Sequence, residues 1–298
     1  MLNALSIDLE DGWAIFSRNR LGKIISLTEA VVRNTHQIMQ ILDAHNTKAT
    51  FFILGEVAEK YPNLIKDIAA NAHEVAAHGY SHRQLDLIGP DEFRKDICQS
   101  KKLLEDIISA EVYGYRAPVF SITKSSEWAF DILAEEGYKY DSSIIPNRYK
   151  NYGWQEFEKN ICRVELAGGK SIIEVPMTVL SLPILNRSFV TGGGFMRYLP
   201  YTMMKFAMQK IQKQRPAIVY LHPYEIDMSP MPEQVSLEHL DSKKRRKIER
   251  FLKISGHFKK TMQSKLEKLL TDFEFTTIID VINMRTLKAF CIDTENGR

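Results

Sequence analysis

Three cysteines in 298 residues, Cys98, Cys162 and Cys291, are too few, odd in number and too widely spaced for a disulfide framework or a cysteine-based zinc site. A reducing compartment, the cytoplasm, is therefore expected. No apolar run is long enough to span a membrane. Met1 to Asp8 lacks the basic start and extended apolar stretch of a secretory signal, and it leads straight into what reads as a first core strand. Charge of one sign is also scarce in excess. Forty basic against 37 acidic side chains leave a net +3, too little to make nucleic acid the main partner. There is no internal repeat, low-complexity tract or obvious linker. What is present, 44% hydrophobic and 26% charged residues, suits a soluble globular chain able to build one barrel-sized domain or two smaller ones.

The chain is organised around His73-Glu-Val-Ala-Ala-His78-Gly-Tyr-Ser-His82. Glu74 to Ala77 reads as a short buried strand and His78 to His82 as the loop leaving it. Two imidazoles four residues apart, with Gly79 permitting a tight bend, can converge on one metal ion. Alone, the pair reads more readily as two loop histidines; its weight comes from similar signals elsewhere. Asn3 to Leu9 alternates like a strand and ends in Asp8-Leu9-Glu10-Asp11-Gly12. Strand parity puts Asp8 and Glu10 on one face, and Asp11 joins them only if the chain has already turned at Gly12. Val112 to Tyr115 runs into Arg116-Ala117-Pro118, and Ala217 to Leu221 ends in His222-Pro223.

Between these strands lie helical patterns, over Leu27–Asn46, from Pro62, from Pro90, over Ser125–Glu136 and from Pro200. Ala49–Leu54, Tyr138–Ser143 and Ile172–Pro176 are further strand candidates, and Gly192-Gly193-Gly194-Phe195 reads as a loop of close approach. Strand, polar loop and helix in repeated succession predict parallel strands with helices outside, a (β/α) barrel. In such a barrel all strand ends share one face, so distant candidate residues meet there. The tail from Ser236 to Phe273 carries the basic run Lys243-Lys244-Arg245-Arg246-Lys247, then Phe258, Met262, Leu266, Leu269 and Phe273 at helical spacing. The spacing predicts packing on the body. The basic run reads either as a solvated face or as contact with an anionic glycan, a membrane surface or an acidic partner. Phe275 to Ile279 is expected to be a final strand.

These residues resemble the polysaccharide deacetylase (NodB-homology) family, carbohydrate esterase family four. Ser6-Ile7-Asp8-Leu9-Glu10-Asp11 is similar to its first motif and His78-Gly-Tyr-Ser-His82 to its metal-binding second. Tyr115-Arg116-Ala117-Pro118, Tyr140-Asp141-Ser142-Ser143 and Leu221-His222-Pro223 resemble the third, fourth and fifth. The likeness is strongest to a bacterial branch associated with exopolysaccharide loci, which has Asp-x-Glu-Asp, a Gly-Gly-Gly-Phe segment and a basic C-terminal extension. The resemblance implies a distorted, incomplete TIM-like barrel formed by residues 1–298 as one domain, with 236–275 packed on it. It also implies a divalent metal, commonly zinc, and hydrolysis of N-acetyl groups on an amino-sugar glycan. By position, Asp8 is the general base, His78 and His82 are metal ligands, Arg116 orients Asp8 and keeps it ionised, and His222 protonates the departing amine. The carboxylate ligand is Glu10 or Asp11: parity favours Glu10, ligand type favours Asp11. Asp141 is expected to be structural. Relatives also include amidases of small cyclic or ureide compounds, and a silent glycan-binding protein is a further alternative. A cytoplasmic enzyme of this kind could still meet lipid-linked intermediates at the inner membrane face, through peripheral contact only.

Overall fold

The computed structural model describes residues 1–147, 152–182 and 187–292. In chain order the elements are β1 (Asn3–Leu9), α1 (Gly12–Phe16), α2 (Ala30–Ala44), β2 (Thr50–Ile53), α3 (Gly55–Lys60), α4 (Pro62–Ala70), β3 (Glu74–Ala77) and α5 (Pro90–Ile108). There follow β4 (Gly114–Tyr115), α6 (Trp128–Glu135), β5 (Tyr140–Asp141), β6 (Cys162–Glu165), β7 (Ser171–Glu174), β8 (Val179–Leu182) and β9 (Arg187–Val190). The rest is α7 (Gly193–Tyr198), α8 (Tyr201–Ile211), β10 (Ile218–Leu221), α9 (Ser242–Lys259), α10 (Met262–Asp272), β11 (Phe275–Thr276), α11 (Ile278–Asn283) and β12 (Lys288–Cys291).

The main sheet runs β10-β1-β2-β3-β4-β5-β7-β6-β12, with β11 also paired to β1. Its pairings are parallel except β6 with β7. Strand parity divides the core into two layers. Leu5, Ile7, Leu9, Phe51 and Ile53 face outward to the helices, whereas Ala4, Phe52, Ala76, Ile218 and Tyr220 meet inside. The result is an α/β distorted barrel. The β8–β9 hairpin stands apart from the main sheet, but Gly192 bridges to Tyr220 of β10, and Thr191 Oγ1 donates to the carbonyls of Thr178 and Ile218. The glycine run is thus a point of close approach, as its composition suggested. A Cβ on Gly192, where φ is +131°, would lie 2.0 Å from the Tyr220 carbonyl oxygen. Gly193 then opens α7.

Two expectations need correcting here. The strand anticipated over Phe275–Ile279 stops at Thr276 and is not the last one. Thr277 instead caps α11, its Oγ1 accepting the Asp280 N–H at 3.2 Å, and Ile278, Val281 and Ile282 join the inner apolar layer. The tail helices α9 and α10 do form. Met262, Leu266 and Leu269 of α10 are fully buried, while residues 243–247 of α9 are exposed. No helix among the described residues is long and apolar enough to cross a membrane.

Candidate active site at the strand ends

β1 supplies the first carboxylates. Ser6 and Asp8 lie on its inward face, and Glu10 follows its last residue; Asp8 and Glu10 are buried. Asp8 Oδ1 accepts a 2.6 Å hydrogen bond from Arg116 Nη1, which also donates to Ser6 Oγ at 2.8 Å. Arg116 leaves the end of β4 and is wholly buried. Its Nε donates to the Ser142 carbonyl, its Nη2 to Ser142 Oγ, and its guanidinium carbon lies 4.0 Å from the Phe52 ring centroid. This fork fixes Arg116 in one orientation, which an ammonium could not match. Asp141 acts at one remove from it. Its carboxylate accepts from Ser143 Oγ at 2.6 Å, and Ser143 Oγ accepts the Ala117 N–H at 2.7 Å.

β3 delivers His78. Gly79 takes φ +72°, and the loop then returns His82, itself at φ +56°. A non-glycine residue there costs about 1–2 kcal/mol. The turn is held by Asp96, which accepts the Tyr80 N–H at 2.8 Å, and by Ser100 Oγ donating to the Gly79 carbonyl at 3.1 Å. The imidazoles consequently converge: Glu10 Oε1 lies 3.1 Å from His78 Nε2 and 3.0 Å from His82 Nε2.

The donor set fits a divalent cation. His78 Nδ1 is 2.7 Å from the Arg116 carbonyl oxygen, which can only accept, so the hydrogen sits on Nδ1 and Nε2 presents a lone pair. That lone pair points at a carboxylate oxygen, another acceptor. Such a contact is favourable only with a proton or a cation between the two. Glu10, His78 and His82 offer ligand atoms all within 4.8 Å of one another, a buried carboxylate-plus-two-imidazole set. Burial opposes ionisation of Glu10, but the imidazoles of His82, His222 and His78 together hold its carboxyl well below the usual range. Imidazole and carboxylate do not select among zinc, cobalt, nickel and iron.

Of the two carboxylates left open by the sequence, Asp11 does not join this group. Its Oδ1 accepts the N–H groups of Trp13 and Ala14 as the cap of α1, and its Oδ2 accepts the Thr28 N–H. Chain turning at Gly12 makes Asp11 a helix N-cap rather than a ligand.

His222, at the end of β10, brings a third imidazole within reach, its Nε2 3.9 Å from Glu10 Oε1. Behind it Glu225 Oε2 accepts the His222 N–H at 3.1 Å and lies 3.5 Å from Nδ1, while Glu225 Oε1 is 3.2 Å from Arg197 Nε. Tyr224 stacks on the ring at 4.6 Å between centroids. Burial opposes charging of His222, but the carboxylates of Glu10, Glu225 and Asp8 outweigh it and raise its pKa to about 9. Glu225, Tyr224 and Arg197 were not anticipated. His222-Pro-Tyr-Glu225, an acid three residues past the histidine, was the available signal.

Comparison with known proteins agrees with this geometry. Residues 18–140 match the polysaccharide deacetylase family, and residues 142–283 match a domain of unknown function (DUF3473). Residues 18–140 are therefore similar to the polysaccharide deacetylase domain. Over 96 residues it is 38% identical to a peptidoglycan-N-acetylglucosamine deacetylase of Bacillus cereus, covering 32% of this chain and 35% of that protein. Over 100 residues it is 30% identical to a chitooligosaccharide deacetylase of Sinorhizobium fredii, covering 33% of this chain and 44% of that protein. The chain thus spans less than half the length of either relative. A crystal structure from Mycobacterium smegmatis, assigned to the polysaccharide deacetylases, superposes with a TM-score of 0.60 at 16% identity over 96% of this chain and 92% of that one. At that identity the likeness concerns the fold.

Proposed function

We propose that the protein is a metal-dependent hydrolase that removes N-acetyl groups from the amino sugars of a surface polysaccharide or exopolysaccharide, or of its precursor. The observation that carries this reading is the single carboxylate of Glu10 facing two imidazoles, beside the Asp8–Arg116 pair and His222. Glu10, His78 and His82 would hold the ion, most simply zinc. When bound, such a cation polarises a carbonyl and makes water more acidic. Asp8 acts as general base on the attacking water, with Arg116 paired to its carboxylate and aiming it. His222, backed by Glu225, enters as imidazolium and donates its proton to the departing amine. Acid and base side chains of this kind contribute roughly 10²–10⁴-fold each.

The deacetylase relatives support an N-acetylated glycan as substrate, and the exopolysaccharide setting rests on the resemblance of the motifs and tail. Three free thiols, Cys98, Cys162 and Cys291, are in keeping with a cytoplasmic site of action. The test is acetate release from N-acetylglucosamine oligomers and from isolated exopolysaccharide precursors, alongside a panel of small cyclic amides and ureides. Release from sugars, abolished by a chelator and by Asp8→Asn, is expected. Turnover of the small amides alone would transfer the site to amidase chemistry, and full activity in a His78→Ala/His82→Ala double variant would remove the metal from the proposal.

A further inference from the structure

Beside the candidate site, a second cavity of about 260 Å³ lies between the α1 region and the basic helix α9. Its apolar walls include Trp13, Phe16, Phe251 and Leu252, and Lys259, Arg197 and Arg20 line it as cations. We propose that this groove binds an apolar anion, an extended hydrocarbon body carrying one phosphate-type group, as the non-reacting end of the substrate. The inference rests on the deacetylase reading for its role and on the groove itself for its ligand.

The charge of Lys259 is the central observation. Lys259 is half-buried, and among the described residues its ammonium makes no hydrogen bond or ion pair. The carboxylates near it are engaged elsewhere. Asp227 Oδ1 lies 3.4 Å from Arg33 Nη2 and accepts the Ser229 N–H at 2.9 Å, while Glu225 faces Arg197 and His222. Burial, with the nearby Arg197 guanidinium, pushes the Lys259 ammonium below its ordinary pKa, and Asp227 and Glu225 only partly oppose this. A half-buried, unmatched cation in an apolar groove is costly, and an anionic ligand removes that cost. Inorganic phosphate alone would leave the aromatic and aliphatic walls in water, and a neutral hydrocarbon would leave the ammonium unmatched. Only a ligand with both parts satisfies the lining. Arg20, whose guanidinium carbon lies 5.5 Å from the Phe251 ring centroid, adds positive charge at the edge.

The groove is also placed to hold part of a substrate. Tyr224 lines it and stacks on His222, so one ring separates the hydrocarbon body from the imidazole proposed to protonate the amine. Tyr224 packs against Gly12, which follows the Asp8–Asp11 carboxylates directly. An N-acetyl sugar attached through a phosphate to a hydrocarbon tail could therefore occupy both sites at once.

The experiment titrates the 298-residue chain, followed by tryptophan fluorescence, with decyl phosphate below its micelle concentration, with neutral decyl glucoside and with inorganic phosphate. Decyl phosphate should bind about tenfold or more tighter than decyl glucoside, the discrimination one charge-assisted contact provides, and inorganic phosphate should give no response in the same range. Lys259→Met should narrow the difference between the two decyl compounds, and Phe251→Ser, at a partly exposed position, should weaken both. Equal affinities for both in the wild type, or discrimination unchanged in Lys259→Met, would overturn the groove assignment. A second arm compares kcat/KM for N-acetylglucosamine carrying a 1-phosphodecyl group with that for the free sugar. A ratio of about ten or more, narrowed by Lys259→Met, identifies a substrate subsite and separates a lipid-phosphate tail from a free amphiphile. Equal turnover of both sugars overturns the subsite role. Turnover of neither sinks the deacetylase reading, while the binding arm still decides the groove.

Discussion

Arg116→Met tests the part of the site that needs no metal to be judged. The wild-type guanidinium is wholly buried and satisfies Asp8 Oδ1, Ser6 Oγ, the Ser142 carbonyl and Ser142 Oγ, all between 2.6 and 3.0 Å. Methionine keeps an apolar stem against Phe52 but leaves the Asp8 carboxylate, 2% exposed, without its counter-charge. Removing one member of a buried pair costs about 3–5 kcal/mol, because the other remains as an uncompensated charge. A domain of this kind has about 5–15 kcal/mol in total, so the loss is a large fraction of it. The cost should shrink when Asp8 is made neutral. In an Asp8→Asn background the same Arg116→Met change should cost only about 1–2 kcal/mol, set by the serine groups left unpaired. Urea unfolding of the four proteins, with metal content held fixed, gives the coupling directly. Equal costs in the two backgrounds would refute the charge pairing as the reason Arg116 is buried, and with it the role of Arg116 as the partner that aims Asp8.

Three further outcomes follow from the same contacts. Glu10→Gln should weaken binding of added zinc by more than the roughly 10–100-fold typical of losing an outer partner, whereas Asp8→Asn should retain the metal. Metal analysis after dialysis checks this, and equal loss in both would make Asp8 a ligand. Asp11→Ala should lower stability by about 0.5–2 kcal/mol through loss of the α1 cap without lowering metal content. Parallel loss of zinc in that variant would reinstate Asp11 at the ion. Glu174 is buried, and burial followed by the charge of Asp141 raises its pKa well above the ordinary value. Its native pKa exceeds its unfolded one, so its contribution is fully present below the unfolded pKa and is lost as pH rises through the native value. Melting temperature should therefore fall from the ordinary glutamate range upward, and Glu174→Gln, which keeps an acceptor for the Ile144 N–H, should flatten that fall; parallel curves would refute it.

The end of β3 was legible in the sequence because an apolar run stops at a histidine and a glycine, a local signal that tertiary packing did not override. The end of β10 was legible for the same reason. The choice between Glu10 and Asp11 was not, since it depends on where a strand gives way to a turn. Asp11-Gly12-Trp13 carried a readable N-cap signal, but an acidic cluster drew attention to charge instead. Thr276-Thr277-Ile278-Ile279 misled for a different reason. β-branched residues favour strands, yet Thr277 is also a good N-cap, and the apolar pair packs on the inner layer as the start of α11. Strand direction is not written in alternation, so the antiparallel β6–β7 and β8–β9 pairs were not foreseen, although Gly168-Gly169 between β6 and β7, both at positive φ, was an available turn signal. Glu225 escaped because its role is to stand behind His222.

The site draws on every part of the chain, which bears on how the two matched segments relate. Asp8 and Glu10 precede the polysaccharide deacetylase match, His78, His82 and Arg116 lie within residues 18–140, and His222 with Glu225 lies within residues 142–283. The second segment also encloses Asp141's serine neighbours, since Ser142 and Ser143 orient Arg116 and the Ala117 backbone. Arg116, bonded to Asp8 and to Ser142, thus links the start of the chain to both matched segments, and His222 of the later one comes within 3.9 Å of Glu10. The segment 142–283 is consequently part of the same cleft rather than an appendage to it. Its additions are the Arg197–Glu225 pair behind His222, the residue proposed as proton donor, and the α9 wall of the groove proposed to take the remote end of a substrate.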